Sequence, residues 1–400
     1  MTRSDFIRLL GAAGMAGILD AQESPRFPAW QPGLLDIHHI ATGRGSSTFL
    51  LLPDGTSMMI DAGATQDSLQ VSAPPMPDSS RRPGQWMARY AARQLRSAGR
   101  NELDYLLVSH LHPDHLGDVG PDTPASSDST YRLTGVSDVD ALLPVRTLID
   151  RGYPQYDYPA RSTAPFAVNY FKYVESRRKQ GKAVERFQVG AGTQMRLLRQ
   201  PRDYPQFSVR NIAANGEVWT GSGETTRRHF PDSPPLPPTE NMCSAAIRVS
   251  YGKFSYYTGG DLTCSTNDGE APWRDIETPV ARATGPVDVA VVNHHGYYDA
   301  AGPEFVKLLR PKVFIIPTWH ISHPDTMQLE RLERHSRQIY ATNLTDISKL
   351  LNARLLAGLA SAEGHVVVRV HPGGDPFEVM VLDHTDESDR VKMTVPFAAG

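Results

Sequence analysis

Ten residues, Ser109-His-Leu-His-Pro-Asp-His-Leu-Gly-Asp118, constrain this chain more than any other stretch. Four metal-ligating side chains, His110, His112, Asp114 and His115, fall within six positions, directly after the apolar run Asp104-Tyr-Leu-Leu-Val108. Such a run predicts a buried strand, and Pro113 suits the first position of a helix. In extended backbone alternate residues share a face, so His110 and His112 project together. Asp114 and His115 then sit at the helix start. Imidazole and carboxylate are donors shared by zinc, iron and manganese. The spacing therefore predicts a strand, loop and helix start that present two ligand pairs to two neighbouring metals.

The rest of the chain bounds the setting. Its 400 residues, 40% hydrophobic, suffice for two average domains or one large one. The 41 basic and 44 acidic residues give a net charge of −3, which argues against a dedicated nucleic-acid binder but leaves a local basic cleft open. Cys243 and Cys264 are too few for a disulfide framework and are expected as free thiols. The start, Met1-Thr-Arg-Ser-Asp-Phe-Ile-Arg8, precedes an 11-residue apolar run, 9–19. This run is too short to span a bilayer but suits a signal-peptide core. Residues 1–22 resemble a twin-arginine export signal with Arg3-Ser4 in place of the arginine pair. Export to the periplasm is expected, with a cytoplasmic location as the alternative. No other stretch has the length of a membrane span, so none is expected in the mature protein.

A linker, 23–33, punctuated by Pro25, Pro28 and Pro32, leads into strand-like runs at 35–40, 47–52 and 57–60, the last two joined as a hairpin by Pro53-Asp-Gly55. Residues 66–84 read as a surface loop and 86–98 as a helix stopped by Gly99. From about 121 to 240 periodicity weakens, except for a helical stretch at 166–180, and this segment reads as an insertion on the core. Alternation resumes with a hairpin around Tyr251-Gly-Lys253 and further strands at 287–292, 313–316, 366–370 and 378–382. Helices are predicted at 303–309, 326–334 and 347–357. His38 and His39 lie on the first strand, so one is expected to face the core and the other away.

Two later pieces add ligands. Tyr257-Thr-Gly-Gly-Asp-Leu262 puts Asp261 just past a strand, in a glycine-rich turn where backbone can approach an ion. Val291-Val-Asn-His-His-Gly296 puts His294 and His295 at a strand end. With the 110–115 cluster they supply a bridging carboxylate and a ligand from a remote strand. This constellation resembles the metallo-β-lactamase superfamily. Its His-x-His-x-Asp-His motif matches His110, His112, Asp114 and His115; its bridging aspartate matches Asp261, and its Asp-x-Gly matches Asp61-Ala-Gly63. Within the superfamily the chain is most similar to the hydrolase domain of ComEC-type DNA-uptake proteins. Their glycine-rich loop is matched by Gly43-Arg-Gly45, their Glu-Asn-x-x-Ser by Glu240, Asn241 and Ser244, and their His-His-Gly by His294-His295-Gly296. Their closing His-Pro is matched by His323-Pro324. The resemblance covers roughly 34–120 and 240–382.

It implies an α/β fold, a four-layer αββα sandwich over 34–400 carrying the insertion at about 121–240. It also implies two divalent metal ions, zinc first, manganese or iron as alternatives. His110 and His112 would hold one metal; Asp114, His115 and one of His294/His295 the other; Asp261 would lie between. A metal-bridging hydroxide would attack a phosphodiester or other anionic ester-type substrate, a small or nucleotide-like molecule. Asp114 and His323 are the expected catalytic residues, His323 through substrate contact or proton donation. Asp61 would orient a ligating histidine, and Arg44 would meet an anionic group of the substrate. Asn241 stands where the superfamily often has a further histidine, so the first metal is expected to be the more loosely held. Lactone or lactam hydrolysis, and a non-catalytic metal-binding scaffold that recognises partners through the insertion, are the alternatives.

Overall fold

The computed structural model describes residues 25–400, so the signal-like segment 1–22 lies outside the described residues. In chain order the strands are β1 Leu35–His39, β2 Thr48–Leu51, β3 Ser57–Ile60, β4 Leu103–Val108, β5 Val145–Asp150, β6 Ala183–Arg186, β7 Phe207–Ala214, β8 Glu217–Trp219 and β9 Thr226–Arg228. They continue with β10 Ala246–Tyr251, β11 Phe254–Thr258, β12 Val289–Val291, β13 Val313–Ile316, β14 Ile339–Ala341, β15 His365–Val370, β16 Phe377–Leu382 and β17 Val391–Phe397. The helices are α1 Pro83–Leu95, α2 Pro113–Leu116, α3 Val136–Leu142, α4 Pro165–Lys179, α5 Glu277–Thr284, α6 Pro303–Leu309, α7 Thr326–His335 and α8 Asp346–Leu351.

The strands make a nine-stranded sheet, β17-β16-β15-β1-β2-β3-β4-β5-β6, and an eight-stranded sheet, β14-β13-β12-β11-β10-β7-β8-β9. Each has an antiparallel half of hairpins and a parallel half, β3 to β6 in the first and β11 to β14 in the second. Leu35, Ile37, Leu50, Met58 and Val368 of the first sheet pack against Val209, Ile247, Tyr256 and Val289 of the second. The outer face of the first sheet takes Met87, Ala91 and Leu95 of α1, Val139 of α3, and Tyr170 and Tyr173 of α4. That of the second takes Val280 of α5, Phe305 and Leu309 of α6, and Leu329 and Leu332 of α7. The result is the expected four-layer αββα sandwich. With both sheets covered on both faces, the parallel strands read as unbroken apolar runs such as Val313–Ile316, not as alternation.

Covering both faces also corrects the reading of His38 and His39, because both are buried. His38 faces the helices, with Nδ1 3.0 Å from the Tyr90 hydroxyl. His39 faces the second sheet, tilted against the Tyr256 ring. Residues 121–240 also need correction as an insertion. They contain the expected helix, now α4, but β5 and β6 extend the parallel half of the first sheet and β7 pairs along β10. β6 and β9 are edge strands, and β8 and β9 have three residues each, so they carry little apolar alternation. The described part of the 23–33 linker is packed as well: the Phe27 amide donates to the Asp389 carbonyl, and the Arg369 guanidinium lies 4.3 Å from the Phe27 ring centroid. Cys243 and Cys264 are both free. Among the described residues no helix is long and apolar enough to cross a membrane.

Burial pushes the His39 imidazole down from its ordinary 6.5 to about 3. Below pH 6.5 the unfolded chain binds a proton that folded His39 refuses, so stability falls as the pH drops from 6.5 towards 3. Denaturant unfolding of metal-free protein at pH 7 and pH 5 should show His39→Gln losing about 2 kcal/mol less than the wild type over that interval. An equal loss in both would remove His39 from the acid response.

Candidate metal centre

The ligand loop leaves β4 and is tied at once to the end of β3. Asp61 Oδ1 accepts the Ser109 amide at 2.7 Å, and Oδ2 accepts the Ser109 hydroxyl at 2.7 Å and lies 2.8 Å from His115 Nδ1. Asp61 holds this place with φ 60°, a left-handed conformation that costs a non-glycine residue free energy. With Nδ1 fixed, His115 turns Nε2 inward, where it is buried without a hydrogen-bond partner. It lies 3.1 Å from Asp261 Oδ1 and 3.4 Å from Asp114 Oδ2. Two glycines let neighbouring loops seat against this loop. A Cβ on Gly63 would stand 1.8 Å from the Asp114 carbonyl oxygen, and one on Gly45 2.6 Å from it. That carbonyl accepts the Ser46 amide at 2.8 Å.

The second sheet brings the other ligands. Asp261 follows β11, its amide donating to Ser244 Oγ at 3.1 Å. His294 and His295 stand beyond β12 with φ of 45° and 55°, followed by Gly296 at 72°, so three successive residues are left-handed. This turn separates the two rings. His295 Nδ1 donates to the Pro317 carbonyl at 2.7 Å, and Nε2 reaches Asp114 Oδ2 at 3.0 Å and Asp261 Oδ1 at 3.5 Å. His294 pairs Nδ1 with Asp299 Oδ1 at 2.6 Å, and its Nε2 lies 3.1 Å from Asn241 Nδ2 and 3.8 Å from Asp261 Oδ2. His110 and His112 approach to 3.2 Å between Nε2 and Nδ1, and His110 Nε2 lies 3.6 Å from Asp261 Oδ2.

Two donor groups result: Asp114, His115, Asp261 and His295, with ligand atoms all within 4.8 Å of one another, and His110, His112 and Asp261 to the same tolerance. Asp261 belongs to both, facing each with a different oxygen. The convergence of acceptor atoms and the orphaned His115 Nε2 fit divalent cations. The remaining charges agree. Burial opposes ionisation of Asp261, but His115, His295, His110 and His294 around it hold its carboxyl well below the usual range. Burial likewise opposes the His295 cation, yet Asp261 and Asp114 raise it to about 9. In the metal-free centre, protons supply the positive charge that the carboxylates demand.

Other candidates sit around this pair of groups. His323, buried, stacks on His295 at 4.4 Å between centroids, and its Nδ1 has no hydrogen-bond partner. Arg44 Nη1 donates to Ser72 Oγ at 2.7 Å and to the Asp67 carbonyl, bracing the 66–84 loop. Asn241 contacts His294 and no other histidine of the cluster. Sequence reasoning gave no role to Asp299, Ser244 or Arg151. Ser244 was quoted only within a motif, and Arg151 lay hidden at the end of an unrecognised strand.

Residues 41–121 match the family described as the metallo-beta-lactamase superfamily. Over that stretch the chain is similar to the superfamily, in keeping with its histidine- and aspartate-rich motif and four-layer fold. It is 24% identical over 312 residues to ComE operon protein 3 of Bacillus subtilis (strain 168), a match covering 77% of this chain and 32% of that protein. The chain thus spans about a third of the length of this curated relative. Among solved structures, a mutant of the CmlA beta-hydroxylase aligns with a TM-score of 0.41 at 11% identity, over 86% of this chain and 54% of that one. Human tRNase Z, short form, aligns with 0.31 at 11% identity, over 70% of this chain and 91% of that one.

With its imidazole raised to about 9 in the metal-free centre, His295 would give up a proton to any metal it binds. Zinc binding at pH 7.5 should release at least one proton, and affinity should rise at least about tenfold per pH unit from 6.5 towards 9. Titration calorimetry in buffers of different ionisation enthalpy reads the release; a heat independent of buffer contradicts it.

Proposed function

We propose that the chain is a metal-dependent hydrolase with two divalent ions, zinc first, acting on a phosphodiester or other anionic ester-type substrate. The observation that carries this reading is Asp261, whose two oxygens face two separate donor groups. Ions held there supply Lewis acidity, activate water at neutral pH and suit displacement at a phosphorus centre.

The chain's own residues set the stage. Asp61 fixes the His115 ring so that Nε2 points inward. The Pro317 carbonyl does the same for His295. Asp114 and His112 are the more open members of the two groups, so substrate enters on their side. His323, stacked on His295, forms a wall of the site; burial and the neighbouring His295 push its imidazole well down, so it meets the substrate as a neutral ring. The resemblance to ComEC-type hydrolase domains favours the phosphodiester over lactone or lactam. Export through residues 1–22 remains part of the proposal, and an intact Met1 or Thr2 on protein recovered from its host would sink it.

With zinc, manganese or iron added, a bis-aryl phosphodiester should turn over faster than lactone and lactam panels. Asp261→Asn should remove the activity, and His323→Ala should lower kcat by about 10²-fold or more while leaving bound metal unchanged. Turnover of lactones alone would reassign the substrate class. Metal binding without turnover of any panel member would favour the scaffold.

A further inference from the structure

The motif Glu240-Asn241-x-x-Ser244 touches the metal centre at three points. Glu240 Oε1 accepts the Leu111 amide at 2.7 Å, and Leu111 stands between His110 and His112. Asn241 Nδ2 lies 3.1 Å from His294 Nε2. Ser244 Oγ accepts the Asp261 amide at 3.1 Å. Of the three, the Glu240 contact falls between His110 and His112, the Asn241 contact is to His294, and the Ser244 contact is to Asp261, which both donor groups share. Glu240 hydrogen bonds to none of Asp114, His115 and His295.

Glu240 is itself locked. Arg151, 2% exposed, meets it with a two-pronged fork: Nε donates to Oε1 at 2.7 Å and Nη2 to Oε2. The remaining guanidinium nitrogen donates to the Tyr158 carbonyl at 2.9 Å and Asn215 Oδ1 at 2.8 Å. Asn215 in turn donates to the Arg151 carbonyl at 2.8 Å. Arg151 directly follows β5, so the fork transmits the position of a sheet strand to a loop amide. A planar guanidinium fixes a carboxylate in distance and rotation together, which a lysine ammonium does not.

We infer that Glu240, locked by Arg151, is a positioning residue for the His110–His112 pair, framing one of the two metals and not the other. The inference rests on the two-metal reading above. The Leu111 amide is buried with its residue, and Glu240 is its acceptor. Holding that amide sets the backbone from which the two imidazoles on either side converge. Asp61 holds the two ends of the loop, through Ser109 and His115, and the Ser109 hydroxyl in turn lies 3.1 Å from His110 Nδ1. Glu240 takes the middle of the loop, between the two imidazoles of the three-residue group.

The test uses the full chain, zinc titrated against a chromophoric chelator, cobalt absorption spectra at one and two equivalents, and a thermal melt. The equivalent lost in His112→Ala marks the framed site. Glu240→Gln is nearly isosteric and can still accept from Leu111. The double variant Arg151→Met/Glu240→Gln removes the fork without leaving an unpaired buried charge. In the double variant the marked equivalent should weaken by about 10–100-fold, with an altered cobalt spectrum, and the other should stay within about twofold. Glu240→Gln alone should fall between. Unchanged affinities, or equal weakening of both equivalents along with a lowered melting temperature, would overturn the inference while leaving two metals in place. A wild type that binds fewer than two equivalents instead overturns the two-metal reading, and the inference with it.

Discussion

The carboxylate of Asp61 is the contact on which the centre depends. It joins the ends of two parallel strands, accepts both the amide and the hydroxyl of Ser109, and pairs with His115 Nδ1, leaving Nε2 to point inward. Such a carboxylate–histidine pair selects the tautomer and the ring plane together. The residue does this from a left-handed backbone, a strained conformation of a kind that persists where the surroundings overdetermine it. The surroundings here are Gly63, two residues later, pressed against the Asp114 carbonyl, and Ser46, donating to that same carbonyl.

Electrostatics then close the design. Two carboxylates and several imidazoles are buried within hydrogen-bonding reach of one another, an arrangement unstable without positive charge. Without metal the carboxylates favour protons on His115 and His295, both of whose imidazoles Asp261 and Asp114 raise against the effect of burial. Protons and metal therefore compete for the same atoms. The left-handed turn at His294-His295-Gly296 splits two adjacent rings between different partners, Asp299 with Asn241 for one, Pro317 with Asp114 for the other.

Much of this was legible in sequence because ligand loops sit where apolar strands end. The runs before Asp61, Ser109 and His294 are short, bounded and uniformly apolar, and each ends in donor residues. The hairpin through Pro53-Asp-Gly55 and the helix ahead of Gly99 were legible for similar local reasons. What stayed hidden shares a different property. β5 opens Val145-Arg-Thr and β6 reads Ala-Val-Glu-Arg, with edge and near-edge positions partly open to solvent, so neither shows a clean period. Once β5 was missed, Arg151 had no address, and Glu240 had no visible partner. For Arg44, a loop arginine between glycines has free donors in sequence, and the fold shows that the 66–84 loop takes Nη1.

The two donor groups draw their ligands from opposite sheets. His110, His112, Asp114 and His115 follow β4 of one, while Asp261, His294 and His295 follow β11 and β12 of the other. Any ion held between them is a cross-link over the seam of the sandwich, closing a loop of some 150 residues much as a covalent staple would. Binding free energy is then also cohesion between the two halves, worth about 4 kcal/mol at a thousandfold excess over the dissociation constant. The candidate metal centre and the mechanical clasp of this fold are the same few atoms.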